Sequence, residues 1–141
     1  MIAQARESGL YDALETGDAL GFLARSSSFA FDLVLAADAL CYFGDLKPLF
    51  AACRRALSSG GLLAFSLETF DGEGFRLQKT MRFAHAASYV EATARDAAFA
   101  PLLIRRASTR FEAGAETPGL IGILEARGAS KSPGKLERIA R

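Results

Sequence analysis

The sequence predicts an α/β fold: a mostly parallel sheet with helices on both faces, closing in a C-terminal antiparallel hairpin. Three observations predict it. Residues 30–36, AFDLVLA, form an apolar run too short and too continuous for an amphipathic surface element, which suits a strand buried on both faces. The following segment, LKPLFAACRRALSSGG, places Leu46, Leu49, Phe50, Cys53 and Leu57 on one stripe with Lys47, Arg54 and Arg55 outside it. It leads into a second apolar run, LLAFSL at 62–67. Strand, helix and strand in this order make a unit whose crossover is right-handed. Last, PLLIRRASTRF at 101–111 and LIGILEA at 120–126 flank the turn-prone EAGAETPG, which predicts an antiparallel pair at the sheet's edge.

The remaining elements follow in order. Residues 1–8 have helical register and Gly9 is placed to stop them, so the chain reads as starting in mid-element. YDALETG at 11–17 suits a short strand leading to Asp18, and ALGFLAR at 19–25 a short helix. Asp45 can cap the helix that follows it, and Gly60-Gly61 can end that helix. After the loop ETFDGEG, residues 75–84 alternate Phe75, Leu77, Met81 and Phe83 with polar residues, a pattern for a two-stranded flap. HAASYVEATARDAAF, from His85 to Phe99, has the composition of a helix. We expect one domain over residues 1–127 and a frayed, basic, Pro/Gly-punctuated tail over 128–141.

Composition narrows the function classes. With 17 Lys and Arg against 16 acids in 141 residues, the net charge of +1 offers no field to hold nucleic acid or an acidic membrane. No run approaches the roughly 20 apolar residues of a membrane span, and the first residues carry no export leader, so a cytoplasmic location is expected. Cys41 and Cys53 lie in or beside apolar segments without metal-site spacing and read as reduced thiols. No His, Cys and carboxylate cluster has the spacing of a metal site.

Candidate chemistry concentrates near strand ends. Asp38 closes the FDLVLAAD run, where ligands sit in parallel sheets; the same residue can instead cap the turn over Ala39–Tyr42. Tyr42 and Phe43 wall a cleft or pack the core. Glu68, after the next strand, can serve as a general base if partly buried, or be a solvated loop acid. His85, the single histidine, is a candidate base or a capping and packing residue. Arg76, Lys79 and Arg82 form a basic face on the flap, suited to an anionic substrate or simply solvated. A phosphoacceptor receiver domain also has an apolar strand ending in Asp, but the paired acids and the lysine it needs are not in register here.

The residues also carry a family resemblance. GDAL at 17–20, FDLVLAADALCYFGDLKPLF at 31–50, LSSGGLLAFSLE at 57–68 and RFAHAASYVEATARDAAFAP at 82–101 resemble the C-terminal two-thirds of class I S-adenosylmethionine-dependent methyltransferases. The last block is similar to a subgroup of bacterial methyltransferases associated with tetratricopeptide repeats. The resemblance implies a Rossmann-like sheet lacking the first two strands of that fold. It implies cofactor contacts at Asp18, Ala19, Ala37, Asp38 and Tyr42, with Asp38 at the reacting centre. The family's glycine-rich turn and its ribose-binding acid have no counterpart, so weak binding of S-adenosylmethionine by this chain alone is expected. The methyl acceptor, a small molecule or a protein, is not readable. A non-catalytic remnant that acts as an interaction module is the alternative, and an uncovered strand edge around 31–37 predicts a homo-oligomer.

Overall fold

The computed structural model describes residues 2–112 and 114–128. Helix α1, Ile2–Ser8, stops at Gly9 in the left-handed region at φ 65°, as its sequence predicts. Residues 11–17 are not the expected strand: they run without a pairing partner, and an extended segment with no neighbour has nothing to satisfy its backbone. Helix α2, Ala19–Arg25, begins where expected and is capped by Asp18, whose carboxylate accepts from the Gly21 N–H at 2.7 Å. Strand β1, Phe31–Ala36, follows. Its burial on both faces is not realised. Val34 and Ala36 pack against the core, while Leu33 and Leu35 point the other way and are 55% and 69% exposed.

Helix α3, Lys47–Ala56, buries Leu49, Phe50, Cys53 and Ala56. Asp45 does accept from the Lys47 N–H at 3.0 Å, although it stands one position outside the helix start. The glycine pair does not end this helix. Strand β2 already begins at Leu57 and runs to Thr69, and Gly60 at φ 79° forms an irregularity inside it, opposite a register shift between Phe31 and Leu33. A Cβ on Gly61 would stand 2.9 Å from the Ser58 carbonyl oxygen, which is why the irregularity needs glycine.

Strand β2 organises the sheet. On one side it pairs in parallel with β1 (Leu33 with Leu62 through Ala36 with Phe65). Further along the same side it pairs in parallel with β4, Phe83–His85. Its other side is antiparallel to β6, Ala115–Ala126, which pairs in turn with β5, Phe99–Glu112. β3, Phe75–Leu77, pairs with β4 and makes the predicted flap. The final hairpin is longer than expected, since Ala115–Gly119 belong to β6 rather than to a loop. Helix α4 spans Ala87–Asp96, so its predicted start is corrected: His85 ends β4 instead.

The core packs residues of α2, α3 and α4 against the sheet. Phe50 of α3 meets Phe65 of β2 and Phe99 of β5, at ring-centroid distances of 5.7 and 6.2 Å. Gly122 of β6 lies under the Phe65 ring, where a Cβ would come within 2.2 Å of Cζ. Among the described residues no helix is long and apolar enough to cross a membrane. The expected tail, apart from Gly128, lies outside the described residues.

Candidate active site

The candidate site is built where β1 ends. Asp38 adopts φ 51°, a left-handed conformation that Asp tolerates better than most residues. It turns the chain into a 3₁₀ turn at Leu40–Tyr42. Its N–H donates to the Ser66 hydroxyl of β2 at 3.0 Å, which ties the turn to the central strand. The Asp38 carboxylate does not cap the turn that follows; it is paired with the Arg82 guanidinium. A non-glycine residue held at positive φ on a strand tip is the kind of strain found at functional sites.

Arg82 enters from the flap, directly after Met81, itself at φ 61°. Its Nε lies 2.8 Å from Glu68 Oε1, near the end of β2, though off the N–H direction, so the contact is mainly coulombic. Arg110 of β5 approaches the same oxygen at 3.6 Å, and Gln78 donates to Glu68 Oε2 at 2.5 Å. The guanidinium also sits 5.2 Å from the Tyr42 ring centroid, and its Nη1 donates to the Tyr42 hydroxyl at 3.5 Å. Exposure rises along this chain of contacts: the Glu68 side chain is 3% exposed, Arg82 13% and Asp38 69%. A buried carboxylate compensated by two guanidiniums thus anchors an arginine whose other end is held out toward solvent.

The other candidates lie apart from this cluster. His85 is fully buried, its Nε2–H donating to the Gly44 carbonyl at 2.9 Å and its ring stacked 6.0 Å from Tyr89. Burial holds its pKa below the ordinary histidine value, and its packing braces the loop after Phe43 against the flap. Tyr89 extends the same brace, donating to Asp45 at 2.7 Å and accepting from the Leu46 N–H at 2.9 Å. Asp18 spends its carboxylate on the helix cap. Ala19 beside it lines a groove of about 310 Å³ shared with Phe22, Ala36, Ala39 and Leu40. Ala37 is exposed on the turn before Asp38. Arg76 lies over the Phe70 ring at 4.2 Å and Lys79 is exposed, so Arg82 is the one member of the expected basic face that turns inward. Cys53 is buried in the core, where desolvation pushes its thiol up to about 11.

Sequence reasoning missed Arg110, Gln78 and Ser66. Ser66 carried a usable signal, as the only polar residue inside the apolar run at 62–67. Arg110 and Gln78 carried none, because their partner Glu68 lies on another strand.

A methyltransferase-domain family model matches residues 1–65. A search of curated protein sequences returned no match. Among solved structures, an S-adenosylmethionine-dependent methyltransferase from Methanosarcina mazei is 14% identical, with a TM-score of 0.67 over 89% of this chain and 75% of its own. The 1,6-didemethyltoxoflavin-N1-methyltransferase of Burkholderia thailandensis, solved with 1,6-didemethyltoxoflavin and S-adenosylhomocysteine, is 17% identical, with a TM-score of 0.60 over 75% of this chain and 48% of its own. The [4+2]-cyclase SpnF, also 17% identical, gives 0.72 over 89% of this chain and 60% of its own. The fold is therefore the Rossmann-like α/β fold of the class I methyltransferases, and this chain spans from about half to three quarters of those structures.

Proposed function

We propose that this chain contributes the acceptor-facing part of a unit that transfers a methyl group from S-adenosylmethionine. The observation that carries the proposal is the position of Asp38. It lies within the residues matched by the methyltransferase-domain family, at the carboxyl end of a parallel strand, with strained backbone and an exposed carboxylate on an anchored arginine. A cyclase on the same fold is the reason that the fold alone does not carry it.

The residues present fit the donor in part. The groove beside Ala19, Ala36 and Ala39 is apolar and large enough for the flat base of an adenosyl group. Among the described residues no glycine-rich turn at a helix start offers backbone N–H groups to a carboxylate, so the amino-acid end lacks its anchor. S-adenosylmethionine, when bound, supplies an electrophilic methyl group. This chain's own contribution is alignment: Glu68 fixes Arg82, Arg82 fixes the Asp38 carboxylate, and Asp38 with Tyr42 receives a polar group of the acceptor in line with the donor. Each missing charge-assisted contact costs about 1.5–3 kcal/mol, so the chain alone binds the donor weakly.

Nuclear magnetic resonance titration with S-adenosylhomocysteine tests this, because it reads weak binding residue by residue. Shifts should concentrate at Asp18, Ala19 and Ala37–Tyr42, adenosine should reproduce them and methionine should not. No shifts at saturating ligand, or shifts confined elsewhere, would overturn the proposal.

A further inference from the structure

Charges of both signs meet at the candidate site in equal number. Asp38 and Glu68 are the acids, Arg82 and Arg110 the guanidiniums, and each is engaged by another member of the group. Arg82 lies between the two carboxylates and its side chain is only 13% exposed, so its charge is already met on both sides. Lys79, exposed at the flap's tip, makes no hydrogen bond or ion pair with the group among the described residues. What the group presents to solvent is Asp38. Arg82 contacts its Oδ1, and among the described residues Oδ2 has no partner; an ionised carboxylate oxygen can only accept hydrogen bonds. The same guanidinium sets Tyr42 beside this oxygen. Its Cζ lies 5.2 Å from the ring centroid and its Nη1 donates to the Tyr42 hydroxyl at 3.5 Å, so a cation backs one face of the ring. Tyr42 is still 66% exposed, which leaves the other face open next to the carboxylate.

We infer that the methyl acceptor is an uncharged, flat aromatic molecule that lays its ring on the open face of Tyr42 and donates an N–H or O–H to Asp38 Oδ2. The inference rests on the methyl-transfer reading proposed above and adds the class of acceptor to it. A ring pinned from behind by a guanidinium, itself held by buried Glu68, is a fixed platform on which a second ring stacks. A saturated acceptor could make the hydrogen bond but would leave that platform without a partner. A charged acceptor of either sign fits worse. An anion would face Asp38 with no unengaged guanidinium in the group to meet it, and a cation would compete with Arg82 for Asp38.

Nuclear magnetic resonance titration of the full chain with 2-naphthol tests this. The comparison compounds are 6-hydroxy-2-naphthoate as the anion, naphthalen-2-ylmethylammonium as the cation and decahydro-2-naphthol as the saturated alcohol. Shifts with 2-naphthol should map to Asp38, Tyr42 and the Arg82 Nε–H, and each of the other three should bind more weakly. Tyr42→Leu keeps apolar bulk without the ring and should weaken 2-naphthol about 2–10-fold. Asp38→Asn should weaken it about 5-fold, the difference between a charged and a neutral acceptor, while Tyr42→Phe, which keeps the ring, should change little. The absence of shifts at these residues up to the solubility limit of 2-naphthol overturns the inference. So does equal or tighter binding of any comparison compound, or unchanged affinity in Tyr42→Leu. S-adenosylhomocysteine, titrated separately, tells the two readings apart. If it binds and 2-naphthol does not, the acceptor class falls and the transfer reading stands; if 2-naphthol alone binds, the aromatic site stands and the transfer reading falls.

Discussion

Arg82 Nε stands 2.8 Å from Glu68 Oε1, and the same guanidinium reaches outward to Asp38. The inner contact is nearly dry and the outer one is wet, so the two respond differently to substitution. Removing one member of a buried pair leaves an uncompensated charge, at a cost of about 3–5 kcal/mol, whereas replacing both is close to neutral. Arg110 and Gln78 remain on Glu68 and soften the loss. We therefore expect Arg82→Met to lower unfolding free energy by about 3 kcal/mol, and Arg82→Met with Glu68→Met to recover most of it. Urea denaturation of the double-mutant cycle measures both; equal losses in the single and double variants would show that the pair is not the unit.

Asp38 should separate chemistry from folding. Its side chain is 69% exposed, and exposed ion pairs contribute roughly 0–1 kcal/mol. Asn also tolerates positive φ, so Asp38→Asn should leave the melting temperature within experimental scatter while lowering any methyl transfer measured. Asp38→Val forces a β-branched residue into the left-handed region and should cost about 1–2 kcal/mol. Equal stability of the two variants would mean that the turn relaxes.

Gly122 offers a test of packing alone. With Phe65 Cζ only 2.2 Å from the position of a Cβ, Gly122→Ala must displace a ring at the centre of the sheet. Overpacking of this kind costs about 1–3 kcal/mol. Adding Phe65→Leu should restore part of the loss in thermal unfolding, and failure to do so would place the strain in the backbone.

His85 makes stability depend on pH. Burial lowers its folded pKa below the unfolded value of about 6.5, so below that pH the unfolded chain binds a proton that the folded chain refuses. Stability accordingly falls on acidification, with a slope of at most about 1.4 kcal/mol per pH unit, and is insensitive to this residue above pH of about 7.5. Urea midpoints measured from about pH 7.5 to about pH 5 should drop for the protein and stay flatter for His85→Gln. Parallel curves would assign the acid sensitivity to other groups.

What was legible in the sequence was what depends on near neighbours. The α3 stripe, the flap and both strands of the hairpin follow from local periodicity, and the structure contains them. The expected strand at 11–17 failed because strands need a partner, and local composition cannot report one. The continuation of β2 back through Ser58 and Gly61 was hidden because paired glycines ordinarily end a helix, whereas here parallel pairing with β1 carries the chain past them. Asp38 was placed at the strand tip by pattern alone. Its hold on Arg82, and the burial of Glu68 beneath Arg82 and Arg110, join residues of β2, the flap and β5, which no window of sequence brings together.

The central position of β2 sets the order in which the protein can be made. Among the described strands β1 and β2 are translated first, whereas the strand that pairs the inner edge of β2, Leu62 with Glu125 through Glu68 with Gly119, is translated last. Before β6 is made, Leu63, Phe65 and Leu67 belong to a sheet that already has β1, β4 and α4 but lacks β6. Such intermediates are the species on which chaperones and aggregation compete. A nascent chain stalled short of residue 119 would therefore leave the inner edge of β2 unpaired, while one that includes Ala126 would hold every described strand of the sheet.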